Sequence, residues 1–300
     1  MRARALCASL LAAAASLALV APAQATYCRA KACDDKPAYD DVWQDEPDPP
    51  CERNQFGCLL DGTPLHWPQT CLSFGVQKDG SGSDGIDYDT AHQVISDAFQ
   101  TWRDVECPGG GTPSFAIRDY GPITCDEAQY NQDQANANVF TFRDESWPYD
   151  DAFDTLALTT ITYNREDGEI YDADVEINSY SADFTVGDTD VRHDLSAILT
   201  HEIGHFLGLS HDDNPATTMW CCYEPTDTQQ RTLHAEDIAG ICEIYPPDRA
   251  VNPNACDPRH GFSKDCATDQ DEGCGIAGPA RPGYHQPRCS TGPCSTMGRA

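Results

Sequence analysis

Apolar positions recur along this chain at spacings that separate helices from strands. Across residues 88–105, Ala91, Val94, Ile95, Ala98, Phe99, Trp102 and Val105 fall three and four residues apart, which is the period of one helix face. Residues 72–76 alternate with the period of two that a strand requires. Residues 114–117 and 137–142 read as further short strands. Residues 156–163 are apolar and β-branched, 164–168 hold a turn signal, and 169–177 read as another strand, so 155–178 resembles a β-hairpin. A second helical pattern covers 194–207, with Asp194 as N-cap and Gly208 suited to end it. A last helix covers 235–245, carries Ile238, Ile241, Cys242 and Tyr245 on one face, and stops at Pro246-Pro247. A long helix among several strands, followed by two more helices, predicts an α+β fold.

The two ends of the chain do not follow these periods. Residues 1–25 begin with Arg2 and Arg4, continue as a short apolar run, and end on Ala23-Gln24-Ala25. That is the pattern of a cleavable signal peptide, and the run is shorter than the roughly 20 apolar residues of a membrane span. Residues 26–61 form an acidic extension in which Cys28, Cys33, Cys51 and Cys58 bracket a Pro-containing stretch. It reads as a solvated tether stapled by disulfides, with a short latency segment as the alternative. Residues 248–300 are rich in Pro, Gly, Arg and Cys and read as a small disulfide-stapled tail.

Composition narrows the class. The 300 residues carry a formal net charge of -30, which repels phosphates and argues against a nucleic-acid partner. The 16 cysteines point to an oxidising compartment, so the chain is expected to be secreted, with no membrane partner once the signal is removed. Removing residues 1–25 takes Cys7 with it and leaves an odd number of cysteines. Four lie before residue 62, six within 62–247 and five after; the six could pair among themselves, leaving the odd thiol in a flanking segment.

The chemistry concentrates in one segment. His201-Glu202-Ile203-Gly204-His205 places two imidazoles four residues apart, on one helix face, where both can reach one metal. Glu202, beside the first ligand, can act as general base on a metal-bound water. Gly208 and His211 extend the motif to HExxHxxGxxH: the glycine lets the chain leave the helix, and His211 swings back as a third ligand. Three histidines plus one water make an open, catalytic zinc site. Eight residues further lies Met219, one of only three methionines.

These residues resemble the metzincin zinc peptidases, and within them the matrixins. Also matrixin-like are Trp67-Pro68 ahead of a strand, the helix around Trp102, and the last helix through Glu236-Asp237-Ile238 to Tyr245-Pro246. The resemblance covers about residues 62–246. It implies a metzincin-type domain over 62–247, with a twisted mixed sheet, a long helix, an active-site helix and a C-terminal helix. It also implies a zinc endopeptidase acting on protein or peptide substrates, and a Met-turn at Met219 packed beneath the ligands. Substrate would lie extended along an edge strand near residues 169–177, and residues 220–233 would wall the primed-side pocket. Either Cys221 or Cys222 would pin that loop through a disulfide, rather than the two bonding to each other. A catalytically inert zinc-holding interaction module on the same scaffold is the alternative, which the intact Glu202 disfavours.

Several positions depart from the family. Asp212 follows the third His where matrixins usually have Ser, and Cys221 stands where astacins and serralysins have Tyr, though Tyr223 lies close by. Tyr171 occupies the place of a structural-zinc His, so a single, catalytic zinc is expected. Asp172, Asp174 and Glu176 alternate onto one strand face, a set calcium can use. A solvated strand face is the simpler reading.

Overall fold

The computed structural model describes residues 27–33, 52, 54, 58–149, 152–266 and the backbone of 295–296. The signal peptide expected at 1–25, the middle of the acidic extension and most of the tail beyond 266 lie outside the described residues. In chain order the first elements are β1 (Lys31–Ala32), β2 (Thr63–Pro64), β3 (Cys71–Gln77), α1 (Tyr88–Arg103), β4 (Ala116–Ile123) and β5 (Val139–Phe142). Then come β6 (Ala157–Tyr163), β7 (Ile170–Ile177), β8 (Phe184–Thr185), β9 (His193–Asp194), α2 (Leu195–Phe206), β10 (Cys222–Tyr223), α3 (Ala235–Ile244) and β11 (Ser295–Thr296). Among the described residues no helix is long and apolar enough to cross a membrane.

The frame is a five-stranded sheet in the order β4-β3-β5-β7-β6. All neighbours are parallel except β6 and β7, which form the expected antiparallel hairpin. The fold class read from the sequence therefore holds: a mixed sheet with a long helix and two shorter ones. The strand expected at 114–117 starts two residues later and runs on to Ile123.

One expectation needs correction. Residues 169–177 do not form the edge: β7 lies between β5 and β6, and β6 is the edge strand. The burial pattern explains the order. On β7 Ile170, Ala173, Val175 and Ile177 are buried on one side and Asp172, Asp174 and Glu176 on the other, as suits a central strand covered on both faces. On β6 burial alternates at its start, with Ala157 and Thr159 inside and Leu158 and Thr160 partly exposed.

The core lies between this sheet and helices α1 and α2. Helix α1 contributes Ala91, Val94, Ile95, Ala98, Phe99 and Trp102, the face read from the sequence apart from Val105, which lies past its end. Phe74, Phe99, Phe140 and Phe206 pack with ring centroids 4.9 to 6.1 Å apart. Two buried indoles fasten α2 in place: Trp67 donates to the Phe206 carbonyl and Trp102 to that of Thr200, each at 2.7 Å. Buried donors of this kind must find acceptors, and these choose helix carbonyls beside the histidine motif.

The described parts of the two flanks are bound to this core. Cys28, Ala30 and Ala32, at the start of the extension, are buried. Ala30 N donates to Gly208 O (3.0 Å), Ser210 N to Cys28 O (2.9 Å) and Leu65 N to Ala30 O (2.8 Å). This segment backs the loop that follows the HExxH helix, and Cys28–Cys58 staples it. The tail is fastened too. Of the six cysteines in 62–247, only Cys107 and Cys242 pair with each other; Cys71 and Cys125 reach out to Cys256 and Cys266. Tyr120 hydrogen-bonds Asp257 and stacks on Phe262 at 3.9 Å. Deleting residues 26–33 is therefore expected to cost about 3 kcal/mol, lowering Tm by roughly 6–12 °C in a domain of this size. A calorimetric scan showing no shift would mean that residues 26–33 do not stabilise the domain.

Candidate metal centre

Helix α2 begins where Asp194 can cap it. The Asp194 carboxylate accepts from Ala197 N at 2.7 Å and from the Arg231 guanidinium at 2.8 and 2.5 Å. Its own amide donates to the Tyr223 hydroxyl at 2.8 Å. The N-cap expected from the sequence is thus also the point at which the loop after Met219 is tied to the helix. At the other end Gly208 takes φ +102°, a left-handed conformation that favours glycine, and the chain reverses.

That reversal brings three imidazoles together. One ring nitrogen from each of His201, His205 and His211 lies within 4.8 Å of the others, close enough for the three to hold a metal ion, and all three residues are buried. His205 Nε2 and His211 Nε2 are 3.2 Å apart. Two Nδ1 atoms are committed elsewhere: His201 Nδ1 donates to Thr218 O at 2.7 Å and His205 Nδ1 to Leu209 O at 3.0 Å. Backbone acceptors on Nδ1 fix the tautomer and turn the Nε2 lone pairs toward one another. Burial, with the neighbouring His211 adding to it, lowers the pKa of His201 to about 3 and that of His205 well below the usual imidazole value. His201 and His205 are therefore neutral at pH 7, as metal ligands must be. His201 Nε2 is buried without a hydrogen-bond partner. An orphaned acceptor beside two other imidazole nitrogens is a donor set that fits zinc.

Glu202 is fully buried, and its Oε2 accepts from Thr159 Oγ1 at 2.6 Å. Met219 packs against Gly204 so closely that a Cβ added there would lie 2.2 Å from Met219 Sδ and 2.8 Å from the Trp102 ring. Glycine at 204 is therefore a packing requirement between the histidines, one that the motif's free positions conceal. Asp237 holds the turn from behind, its carboxylate accepting from Thr218 N (2.8 Å), Met219 N (3.2 Å) and His234 N (2.8 Å). Gln230 Nε2 reaches the Trp220 carbonyl at 2.9 Å. Of these supports only Asp237 left a sequence signal, as the third residue of a helix capped at His234.

The remaining expected residues fall outside the cluster. Asp212 is buried, donates its amide to Met219 O at 2.8 Å and accepts from Asn214 N, and burial pushes its pKa up to about 6. The Tyr223 hydroxyl is engaged by Asp194 N and by Asp227 O, away from the histidines. Cys221 and Cys222 are both in disulfides, and their sulfurs are 3.9 Å apart, so they are not bonded to each other. Strand β10, which contains Cys222, pairs antiparallel with β11 near the chain's end.

The acidic face of β7 is not solvated, which corrects the simpler reading. Glu176 is fully buried, bound by Arg143 at 2.5 Å and by the Tyr149 hydroxyl. Asp174 accepts from Val139 N at 2.7 Å and Gln129 N at 2.9 Å. Burial and the adjacent Asp174 raise the pKa of Asp172 well above the usual carboxylate value, and burial raises that of Asp174 to about 7. Protein partners account for Asp174 and Glu176, and nothing in the arrangement shows calcium. Tyr171 stacks on Tyr130 with centroids 5.8 Å apart and lies under the Arg259 guanidinium at 4.4 Å.

Comparison with known proteins agrees with this geometry. The matrixin family model matches residues 66–246. Metalloendoproteinase 1-MMP of Arabidopsis thaliana is 32% identical over 101 residues, covering 34% of this chain and 26% of the relative. Neutrophil collagenase of Homo sapiens is 25% identical over 214 residues, covering 68% of this chain and 40% of the relative. Matrix metalloproteinase-18 of Xenopus laevis is 26% identical over 204 residues, covering 66% and 38%. The matches thus span well under half the length of these relatives.

Proposed function

The chain belongs to the matrixin family, and on that premise we propose that it is a secreted zinc endopeptidase using Glu202 as general base. What carries the reading is the gathering of three buried imidazoles, two of them on α2, with the buried carboxylate of Glu202 on that helix. His201, His205 and His211 would hold the metal. Bound there, zinc would supply Lewis acidity, acidifying a water and polarising the scissile carbonyl. Glu202 takes a proton from the attacking water and returns it to the leaving amine. Edge strand β6 offers its outer side to an extended substrate. Residues 220–233, anchored by Asp194 through Arg231 and Tyr223, wall one side of the cleft. Asp212 supports the Met219 turn and takes no chemical role.

The test is hydrolysis of casein and of a peptide library by the mature chain, before and after chelation and with zinc restored. Cleavage that survives complete zinc removal would overturn the reading. Elemental analysis is expected to give about one zinc per chain, because a stacked Tyr171 stands where matrixins carry a structural-zinc histidine. Two tightly held zincs would contradict that assignment.

A further inference from the structure

We propose that Thr159 is a positioning residue for the general base: its hydroxyl holds the Glu202 carboxylate in one orientation beside the histidine cluster. The inference rests on the reading of Glu202 given above and adds a residue to it.

Thr159 Oγ1 lies 2.6 Å from Glu202 Oε2 and 3.2 Å from the Glu202 carbonyl oxygen. A hydroxyl has one proton to give, and the carboxylate contact, at 2.6 Å against 3.2 Å, is the shorter, so the carboxylate receives it. Both residues are 0% exposed, which leaves no bulk water to compete for either partner.

The surroundings make the hydroxyl specific to this task. Thr159 sits on the inward face of β6, opposite Val175 on β7, and that pairing fixes its backbone. Its β-branched side chain is stiff about χ1, so the donor is rigid. Packing alone does not call for threonine here: valine would fill the same volume without burying a polar group. Glu202 is the opposite case, a three-torsion side chain whose work depends on where its carboxylate points. The strand whose free edge is offered to substrate thus also sets the base.

The experiment compares Thr159→Val, Thr159→Ser and the parent enzyme on one fluorogenic peptide, with zinc content and Tm measured on the same preparations. Thr159→Val is expected to lower kcat by roughly tenfold, with KM within about twofold and zinc and Tm essentially unchanged. Thr159→Ser, which keeps the donor, is expected to recover most of that loss. A Val variant with parental kcat overturns the proposal, as does a Ser variant no better than Val. A kcat loss that comes with lost zinc or a lowered Tm also overturns it, in favour of a purely structural role. Glu202→Ala, assayed alongside, separates the two readings. If it stays active, the assignment of the base itself has failed; if it is inactive while Thr159→Val is unimpaired, only the role of Thr159 has failed.

Discussion

Replacing Glu202 by alanine is expected to leave zinc in place and remove nearly all peptide hydrolysis. Two of the three histidines are held from elsewhere: His201 and His205 donate through Nδ1 to the Thr218 and Leu209 carbonyls. The fold should tolerate the change as well. Thr159 loses its carboxylate partner, but the backbone carbonyl of residue 202 remains 3.2 Å from its hydroxyl, so the donor is not stranded. What disappears is the group that moves the proton between water and leaving amine. A positioned acid–base residue contributes roughly 10²–10⁴-fold, or about 3–5 kcal/mol of barrier at 1.36 kcal/mol per decade. Steady-state kinetics on a fluorogenic peptide, with elemental analysis of the same sample, measures both halves. A variant of parental activity would sink the mechanism.

The second large effect is expected from a residue that touches neither metal nor substrate. Asp237 is 2% exposed, and its carboxylate receives the amides of Thr218, Met219 and His234. Alanine at 237 takes the acceptor from all three, of which the Thr218 and Met219 amides are buried. Stranded donors cost about 1–3 kcal/mol each, and with partial relaxation the net loss should be about 3–5 kcal/mol, at the upper end for single substitutions. The damage should also reach the metal. Thr218, whose amide is released, presents the carbonyl that orients His201. Loss of such an outer partner typically weakens metal binding 10–100-fold. Urea unfolding of the metal-loaded protein and a competition titration with a zinc chelator test the two parts separately. A variant of unchanged stability and zinc affinity would show that the Met219 turn holds itself.

Both predictions draw on features of different legibility. The histidine motif is local: 201 and 205 are one helical turn apart, and Gly208 and His211 follow within six residues, so periodicity and one glycine suffice to read it. The Asp194 cap was equally local. Alternation correctly put Asp172, Asp174 and Glu176 on one face, yet their environment was misjudged. The amides that cover Asp174 come from Val139 and Gln129, 35 and 45 residues away. The hairpin of β6 and β7 was readable from its turn, but which of its strands would pair with β5 was not, because that choice rests on contacts with a strand more than ten residues earlier. The cysteines carried a compartment and no connectivity, since the described bridges that fasten the tail span 185 and 141 residues.

By itself, then, the sequence determined the main helices and strands, the α+β class, and the histidine motif with its adjacent glutamate, all of which depend on residues within a turn or two of one another. Tertiary structure alone decided the edge strand, the burial of the acidic face, the binding of the described parts of both flanks to the core, and the supports behind the site. Gly204 meets Met219, Asp237 holds the turn and Thr159 reaches Glu202 across 43 residues. Such contacts follow from which strands lie side by side and which buried donors find acceptors, and those are properties of the packed chain that no local period encodes.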